Sequence, residues 1–506
     1  MFTPSLAEAR ELASRYNFIP VSYSFLADQA TPIHLYQSVR RPNSFLLESV
    51  EAASRFGRYS FIGLQPFLTC RVQDEKLERS YRSGQKEIVD GNPLDALQDT
   101  LRRFRSPKLA GFPPFTGGAV GMLGYDTVRF VEELPKAAHD TLQVDTMHLL
   151  FVDEVIAYDH VKQEVNVIVS IQADEAMTDE EFASAYDTAC GRIRKRVREI
   201  SESEARAFAR IDNIPQEGAP LAVTSNVTRD AYTSMVERAK EYIAAGDIFQ
   251  VVLSQRFAVN HTADPLLVYR ILRLTNPSPY MYYFEIDGVT VAGTSPELLV
   301  KVIDGTAETR PIAGTRRRGV DEAEDAALTA EMLADEKECA EHLMLLDLGR
   351  NDIGRVARYG SVEVTQQMEV EYYSRVMHMV SHVRGTLAAE KEPFDALTSC
   401  FPAGTLSGSP KIRAMEIIAE LEGEARGFYG GAVGYFSFDG NLDSCIVIRT
   451  IVFKDGKAYV QAGGGIVADS TPDEEYEESR NKAHAMLHAL SLAEKMTSTE
   501  EMRAHV

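Results

Sequence analysis

Two pairs of glutamates are the residues of this sequence whose type and spacing best suit a divalent metal ion. Glu338 and Glu341 form the first pair, and Glu475 and Glu478 form the second. On a helix, a spacing of three residues places both carboxylates of a pair on one face. Mg²⁺ prefers oxygen ligands and commonly takes one or two protein carboxylates. Two facing helices would therefore supply a magnesium site, although a single such pair is more typical of a solvated helix face.

Polar, glycine-rich segments lie before and between the glutamate pairs. Gly314-Thr315 precedes the first pair and Gly463-Gly464-Gly465 precedes the second. Each segment alone fits a tight turn, but glycine also lets a ligand approach the backbone closely. Ser409 is predicted as the N-cap of a helix with Pro410 at its first position, where an anion could bind. Arg449 falls in a strand predicted over residues 445–453, where a charge needs an anionic partner. The segments together predict a pocket for a small dicarboxylate.

The elements that must position these groups are strands and helices that do not alternate as regular βαβ units. Strands are predicted over residues 44–47, 59–64 and 68–72, a hairpin over 147–158 and 164–170, and helices over 5–16, 94–104, 178–204 and 229–245. No GxGxxG or GxxxxGK[ST] motif follows a strand, which argues against dinucleotide-binding and P-loop folds. The pattern predicts an α+β fold with large antiparallel sheets.

A linker is predicted over residues 211–227, which contain two prolines and no aromatic side chain. It separates an N-terminal region, residues 1–215, from a second region, residues 226–490, and a tail of residues 491–506 follows. The pentapeptide Gly-Gly-Ala-Val-Gly begins at Gly117 and again at Gly430. The repeat indicates either two strands in similarly tight packing or two related sheets that pack on each other, and we favour the second interpretation.

Composition limits the partners of the chain. Its 506 residues carry a formal net charge of −22, so the surface repels phosphate backbones and nucleic-acid binding is not expected. The longest apolar runs have the length of strands, and no membrane segment or secretory signal is predicted. The five cysteines form no CxxC pair, which favours a reducing cytoplasm. An anionic substrate would need local cations or a metal ion to enter such an acidic protein.

Several ordered motifs resemble the chorismate-utilising enzymes, specifically the family of anthranilate synthase large subunits (component I). They are Asp-Ile-Phe-Gln at 247–250, Ser-Pro-Glu at 295–297, Pro-Ile-Ala-Gly-Thr at 311–315, Leu-Gly-Arg-Asn-Asp at 348–352 and Val-Met-His at 376–378. The resemblance covers nearly the whole chain and is densest from about residue 226 to residue 490. It implies the fold of the chorismate-utilising enzymes, which is also that of aminodeoxychorismate synthase. In this fold two large antiparallel sheets pack together and helices lie outside.

The resemblance also implies roles for the matching residues. Glu341 and Glu478 would bind Mg²⁺, supported by Glu338 and Glu475. The catalytic positions are Glu297 as general acid, His378 as a candidate base, Thr405 near the ring and Gln250. His378 fits a buried, hydrogen-bonded histidine equally well. The positions expected to bind chorismate are Gly314, Thr315, Tyr429, Arg449, Gly463, Gly464, Gly465 and Lys482.

The implied reaction is the first step of tryptophan biosynthesis, a lyase reaction. Chorismate is aminated with ammonia and pyruvate is eliminated to give anthranilate, with Mg²⁺ as cofactor. Relatives that add water place a lysine where this chain has Gln250, and aminodeoxychorismate synthases typically place a lysine where it has Ala313. Both positions therefore favour anthranilate as the product. The alternatives are aminodeoxychorismate synthase component I, or a non-catalytic homologue that senses tryptophan.

Regulation and partners are implied in the same way. The family's tryptophan feedback site matches residues in three segments, Glu48, Ser49, Pro279, Tyr280, Met281, Val433 and Tyr435. Leu46 and Leu47, which precede them, also fit a core strand. No GxCxG-type nucleophile of a glutamine amidotransferase occurs, so ammonia is expected from a separate component II subunit. The expected assembly is a cytoplasmic heterotetramer of two large and two small subunits.

Overall fold

The computed structural model describes residues 1–49, 57–174, 176–204, 214–373 and 376–504. Its helices are α1 Leu6–Leu12, α2 Pro32–Val39, α3 Pro93–Arg102, α4 Asp179–Glu204, α5 Arg229–Ala245, α6 Pro265–Thr275, α7 Glu322–Ala334, α8 Glu336–Gly354, α9 Pro393–Cys400, α10 Gly404–Ser407, α11 Lys411–Glu422 and α12 Pro472–Ala504. A short 3₁₀ helix spans Tyr125–Phe130.

The strands of the N-terminal half are β1 Phe18–Leu26, β2 Ser44–Glu48, β3 Tyr59–Leu64, β4 Leu68–Gln73, β5 Lys76–Tyr81, β6 Lys86–Val89, β7 Gly118–Leu123, β8 Met147–Val152, β9 Glu154–Asp159 and β10 Glu164–Gln172. Those that follow are β11 Thr224–Ser225, β12 Gln250–Asn260, β13 Tyr280–Ile286, β14 Val289–Ser295, β15 Leu298–Ile303, β16 Thr306–Thr309, β17 Ile312–Arg317, β18 Glu363–Tyr372, β19 Val376–Thr386, β20 Gly408–Ser409, β21 Ala432–Ser437, β22 Leu442–Ile446, β23 Thr450–Lys454 and β24 Lys457–Ile466.

The strands form two large antiparallel sheets, which confirms the predicted fold class. The first sheet has the order β1-β10-β9-β3-β2-β13-β14-β23-β24-β12-β11, and β20 pairs with β12. The second has the order β17-β19-β16-β15-β22-β21-β7-β8-β4-β5-β6, and β18 pairs with β19. The predicted boundary near residue 215 does not interrupt either sheet, because β2 pairs with β13 and β7 pairs with β21.

The two sheets pack face to face, and helices cover their outer faces. Phe45 and Tyr282 of the first sheet share one buried apolar cluster with Val120 and Val433 of the second. A second cluster joins α2, α4, α6 and α12 to the first sheet, and a third joins α3 and α9 to the second. The helix predicted over residues 178–204 begins with its expected capping box, since Thr178 and Glu181 exchange backbone-to-side-chain hydrogen bonds.

The predicted strand over residues 147–158 is wrong as a single element, because it divides between the sheets. β8 belongs to the second sheet and β9 to the first, where β9 forms the predicted hairpin with β10. Asp153 separates them, and its buried carboxylate accepts hydrogen bonds from Arg82 at 2.7 Å and Arg192 at 2.8 Å. The apolar pattern runs through both strands, so it cannot reveal that ion pairs with distant arginines hold a crossing there.

The repeated pentapeptide does not mark two sheets that pack on each other, so our preferred interpretation is wrong. β7 and β21 are neighbours within the second sheet, and Gly121 lies opposite Gly434 in their register. A Cβ atom at Gly121 would lie 2.0 Å from the carbonyl oxygen of His148, and one at Gly434 would lie 2.2 Å from that of Asp443. The alternative interpretation, two strands in similarly tight packing, therefore holds.

The structure differs from the expectation at the predicted linker and at the predicted C-terminal tail. Residues 211–213 of the predicted linker lie outside the described residues, and its end contains the short strand β11. The predicted tail continues α12 as far as Ala504.

We expect Gly121→Ala to lower the free energy of unfolding by about 2–3 kcal/mol, because the added methyl group would force neighbouring backbone apart. Urea unfolding measures this change. Gly191→Ala is the matched control, since Gly191 lies in α4 with no atom near its Cβ position and alanine favours a helix by about 0.5–1 kcal/mol. An equal loss in both variants would contradict the packing argument.

Candidate active site

The predicted site residues converge on one cavity of about 390 Å³. Those that line it are Gln250, Glu297, Thr315, Glu341, His378, Thr405, Tyr429, Arg449, Gly463, Gly465, Glu475, Glu478 and Lys482. Gly464 lies just behind this surface, since a Cβ atom there would be 2.7 Å from Glu475 Oε2 and 3.4 Å from Glu478 Oε1. The glycine run therefore lets the carboxylates of α12 approach the strand β24.

The cavity lies where the chain crosses between the two sheets. Glu297 follows β14 of the first sheet and precedes β15 of the second, and Arg449 lies between β22 and β23, which also belong to different sheets. The strand predicted over residues 445–453 is thus broken at Arg449, whose φ of 52° is left-handed. Apolar side chains on both sides of Arg449 conceal this break in the sequence.

Three carboxylates from two helices face this cavity. Glu341 comes from α8, whereas Glu475 and Glu478 come from α12. Burial raises the pKa of Glu341 and of Glu475, and the neighbouring Glu338 and Glu478 add to these shifts by like-charge repulsion. Glu475 Oε2 is buried and has no hydrogen-bond partner among the described residues. Such crowded, partly unpartnered oxygens fit a hard cation.

The carboxylates do not enclose an ion by themselves. Within the residues described, no group of three or more acidic, histidine or cysteine side chains is arranged closely enough to hold a metal ion. Mg²⁺ commonly keeps several waters and takes only one or two protein carboxylates, so an incomplete protein shell suits it. Glu338 does not line the cavity, because its carboxylate accepts a 2.9 Å hydrogen bond from Arg316.

Glu297 is a buried carboxyl group suited to donating a proton. Burial raises its pKa to about 7, although the hydroxyl of Thr405 donates a 2.9 Å hydrogen bond to Glu297 Oε1 and opposes the shift. Thr405 lies in the short helix α10, so the two residues come from distant parts of the chain. A general acid works best when its pKa lies near the operating pH.

His378 is held in a defined orientation on β19. Its Nδ1 lies 3.3 Å from the carbonyl oxygen of Gly314 and 3.0 Å from Thr315 Oγ1. Because a carbonyl oxygen only accepts, we assign the proton of the neutral ring to Nδ1, which leaves Nε2 as a base. Burial lowers the pKa of His378 and so favours this neutral form. Gly314 therefore contributes through its carbonyl group.

Two cationic side chains face the carboxylates. Lys482 Nζ lies 2.6 Å from Glu478 Oε1 and donates a 3.0 Å hydrogen bond to the carbonyl oxygen of Gly463. Arg449 donates a 2.7 Å hydrogen bond to the carbonyl oxygen of Lys482 but forms no ion pair with any described residue. Burial lowers the pKa of Arg449, which reflects the cost of a desolvated cation. A bound anion would relieve this cost.

The predicted N-cap at Ser409 is wrong by one residue. Ser409 belongs to β20 and pairs with Gln250, while α11 begins at Lys411 with Pro410 as its N-cap and no side-chain cap. Sequence reasoning also missed Lys337 and Gln461 in the cavity wall. Lys337 directly precedes Glu338, and its position next to the first glutamate pair was a usable signal. Gln461 precedes the glycine run by two residues and carried none.

A second cavity of about 320 Å³ contains the residues predicted for tryptophan. Glu48, Ser49, Pro279, Tyr280, Met281, Val433 and Tyr435 all line it. Glu48 is already engaged, because its carboxylate accepts hydrogen bonds from Tyr269 at 2.8 Å and Arg273 at 3.0 Å. Ser49 Oγ is buried without a partner among the described residues. Leu46 is buried core, whereas Leu47 lines the cavity.

The sequence did not indicate the charged pair at this second cavity. Lys301 and Asp443 form a 3.2 Å ion pair there, and the hydroxyl of Tyr280 donates a 3.0 Å hydrogen bond to Asp443. The two charges belong to neighbouring strands, β15 and β22, that are far apart in sequence. Their pairing becomes visible only once the register of the sheet is known.

The fold and this site match a known family over most of the chain. The family model described as chorismate binding enzyme matches residues 42–488. The chain therefore belongs to the family of chorismate-binding enzymes. Within the described residues, no helix is both long and apolar enough to cross a membrane.

The similar proteins define the branch of the family. Anthranilate synthase component 1 of Acetivibrio thermocellus is 49% identical over 97% of this chain and 99% of its own length. The component of that name from Geobacillus stearothermophilus is 45% identical over 98% of the chain and 97% of its length. These relatives confirm the resemblance to the component I family.

Solved structures show the same fold. Anthranilate synthase component I from Streptococcus pneumoniae superposes with a TM-score of 0.74 at 37% identity, covering 91% of this chain and 98% of the other. The menaquinone-specific isochorismate synthase from Escherichia coli superposes with a TM-score of 0.68 at 17% identity, over 96% and 99%. The second similarity concerns the fold alone.

The raised pKa of Glu297 predicts a pH-dependent stability. The pKa of this carboxyl group is 4.5 in the unfolded chain and about 7 in the folded protein. Its contribution to stability is therefore complete below pH 4.5 and is lost as the pH rises through 7. Relative to Glu297→Gln, the unaltered protein should lose about 3 kcal/mol of unfolding free energy between pH 4.5 and pH 8. Denaturant unfolding of both proteins across this range measures the difference. A constant difference would show that Glu297 titrates normally.

Proposed function

We propose that the chain is the large subunit of an anthranilate synthase, which aminates chorismate with ammonia and eliminates pyruvate with Mg²⁺ as cofactor. The observation that carries this proposal is the convergence of Glu341, Glu478 and Glu297 with Arg449 on one cavity. Its carboxylates suit a divalent cation and its free arginine suits an anion. The anthranilate synthase relatives support this reaction.

The cavity has a place for both carboxylates of chorismate. Glu341 and Glu478 would hold Mg²⁺, with Glu475 beside them, and the bound ion would neutralise the ring carboxylate and draw electron density from the diene. Arg449, which has no ion-pair partner in the described structure, would bind the enolpyruvyl carboxylate through charge-assisted hydrogen bonds. Lys482 adds a second positive charge near the glutamates.

Glu297 and His378 supply the proton transfers. Ammonia forms a bond to ring carbon C2 while the C4 hydroxyl leaves as water, and Glu297 with its pKa of about 7 provides the proton for this departure. Thr405 orients the carboxyl through its hydrogen bond to Oε1. The ammonium group formed at C2 returns a proton to the carboxylate of Glu297. His378 Nε2 then removes the proton from C2 while the C3–O bond breaks, and the departing enolpyruvate takes up a proton at its methylene carbon to become pyruvate. The ring thereby becomes aromatic.

Two residues of the cavity wall favour anthranilate over related products. Gln250 faces Glu341 at 3.5 Å, at the position where water-adding relatives are expected to carry a lysine base. Ala313 also lines the cavity and offers no amine for the covalent intermediate expected of aminodeoxychorismate synthases. A non-catalytic sensor would have no use for a carboxyl group of raised pKa and an oriented histidine in one cavity.

Chorismate, ammonium and Mg²⁺ should yield fluorescent anthranilate and pyruvate in equal amounts. We expect Glu341→Gln to reduce kcat/KM by at least about a hundredfold, because a carboxylate of the proposed metal site is lost. Glu338→Gln is the matched control one helical turn away, and it should change kcat/KM less than about fivefold because Glu338 faces Arg316. Equal losses would contradict the proposed metal site.

We further propose that tryptophan binds the second cavity and inhibits the enzyme. The aromatic and thioether side chains of Tyr280, Tyr435 and Met281 suit an indole ring. Ser49 Oγ has no hydrogen-bond partner among the described residues, so it is available to the amino-acid group. The carboxylate of Glu48 faces Arg273, so an ammonium group would share it with that cation.

Ser49→Ala should raise the tryptophan concentration for half-inhibition about tenfold, because one hydrogen bond to the ligand is lost. Ser106→Ala is a matched control, since Ser106 Oγ is also buried and without a partner among the described residues but lines neither cavity. Inhibition curves for anthranilate formation measure both effects. The same half-inhibition concentration in Ser49→Ala and the unaltered protein would contradict the proposed binding site.

The nitrogen source follows from the same proposal. A component II glutamine amidotransferase would supply ammonia in a heterotetramer of two large and two small subunits. The chain alone should use ammonium at raised pH, where more of it is neutral ammonia, but not glutamine. Glutamine-dependent anthranilate formation by the purified chain alone would contradict this division of labour.

A further inference from the structure

A small cavity of about 20 Å³ adjoins the catalytic cavity and has room for one water-sized molecule. Tyr429 and Gln461 line both cavities, so these two side chains stand between them. The other walls of the small cavity combine apolar side chains, among them Phe428 and Val447, with the charged side chains of Arg256 and Arg426. A small ligand held in this cavity would lie next to the side chain of Gln461.

The amide of Gln461 presents an unused acceptor. Its Oε1 atom is buried and has no hydrogen-bond partner among the described residues. Leaving a buried acceptor unpaired is unfavourable, so a ligand N–H or O–H at this position would be favoured. Gln461 belongs to β24, the strand that also carries the glycine run.

The orientation of this amide is fixed by its neighbours. Arg426 is buried and always charged, and it forms an ion pair with Glu422, which is therefore a carboxylate that only accepts hydrogen bonds. The hydroxyl of Ser254 donates its proton to Glu422 Oε1 at 2.9 Å. Ser254 Oγ can then only accept from Gln461, whose Nε2 lies 2.9 Å away. The NH₂ group must face Ser254, and the carbonyl oxygen must be the free atom.

From this geometry we infer that Gln461 Oε1 binds the ammonia molecule that attacks chorismate, a role that rests on the proposed function. Ammonia has three N–H groups and one lone pair, so one N–H can bond to Gln461 while the lone pair remains free for the ring carbon. Gln461 is thus assigned as a binding residue for the nucleophile.

Separate KM values for ammonium and for chorismate test this inference. At saturating chorismate and Mg²⁺, Gln461→Met should raise the KM for ammonium about tenfold, because the methionine fills the same space without an acceptor oxygen. The KM for chorismate should change less than about twofold. Ser254 contacts Gln461 but lines neither cavity itself, and Ser254→Ala should also raise the KM for ammonium, because the amide of Gln461 is then free to turn.

Gln255→Met is the matched control on the neighbouring strand β12. Gln255 lies opposite Ala462, and both ends of its amide are hydrogen-bonded, to Ser225 and Ser479. Gln255 lines neither cavity, so the KM of the Gln255→Met variant for ammonium should stay within about twofold of the unaltered value, even if kcat changes. An equal rise in Gln255→Met and Gln461→Met would overturn the inference, because the effect would then come from a disturbed sheet.

The outcomes also distinguish this inference from the proposed function. If the unaltered chain does not convert chorismate with ammonium, the proposed function fails. If it does, and Gln461→Met has the KM for ammonium of the unaltered chain, only the ammonia site is wrong. A KM for chorismate that rises as much as that for ammonium would assign Gln461 to the chorismate pocket and equally overturn the inference.

Discussion

Repulsion among carboxylates that face one cavity is the constraint on which the site depends. Glu341, Glu475 and Glu478 face one cavity, and burial raises the pKa of the first two. Desolvation and like charge both oppose this arrangement, so positive charge must lie nearby. Lys337 and Lys482 provide part of it by lowering these pKa values. A divalent cation of the proposed kind would supply the rest, and substrate binding and metal binding would then support each other.

The two packed sheets explain how distant residues reach this point. The helix α8 packs on β17 and β19 of the second sheet, whereas α12 packs on β24 of the first, so the carboxylates meet only because the sheets meet. Glu297 and Arg449 lie in segments that cross from one sheet to the other. Cys445, just before the second crossing, lines the other cavity. Both cavities therefore depend on the same contact between sheets.

Local patterns in the sequence predict individual helices and strands better than they predict where the chain crosses from one sheet to the other. Apolar alternation and the capping box at Thr178 indicate strands and α4 correctly, and ordered motifs identify the residues that line the cavity. The same apolar patterns continue through Asp153 and Arg449, where the chain changes sheets. The crossing at Asp153 depends on ion pairs with Arg82 and Arg192, and the register that joins β7 to β21 depends on pairing between strands far apart in sequence. Gln461 was missed because its free oxygen is defined by Ser254 and Glu422.

We propose that carboxylates of α8 and α12 bind one divalent cation together. Anomalous diffraction from crystals soaked in Mn²⁺, a hard divalent substitute for Mg²⁺, locates such an ion directly. We expect a single strong anomalous-difference peak in the catalytic cavity between Glu341 and Glu478, which disappears in Glu478→Gln crystals. A cavity without a peak at saturating Mn²⁺, or a peak that persists unchanged in Glu478→Gln, would contradict it.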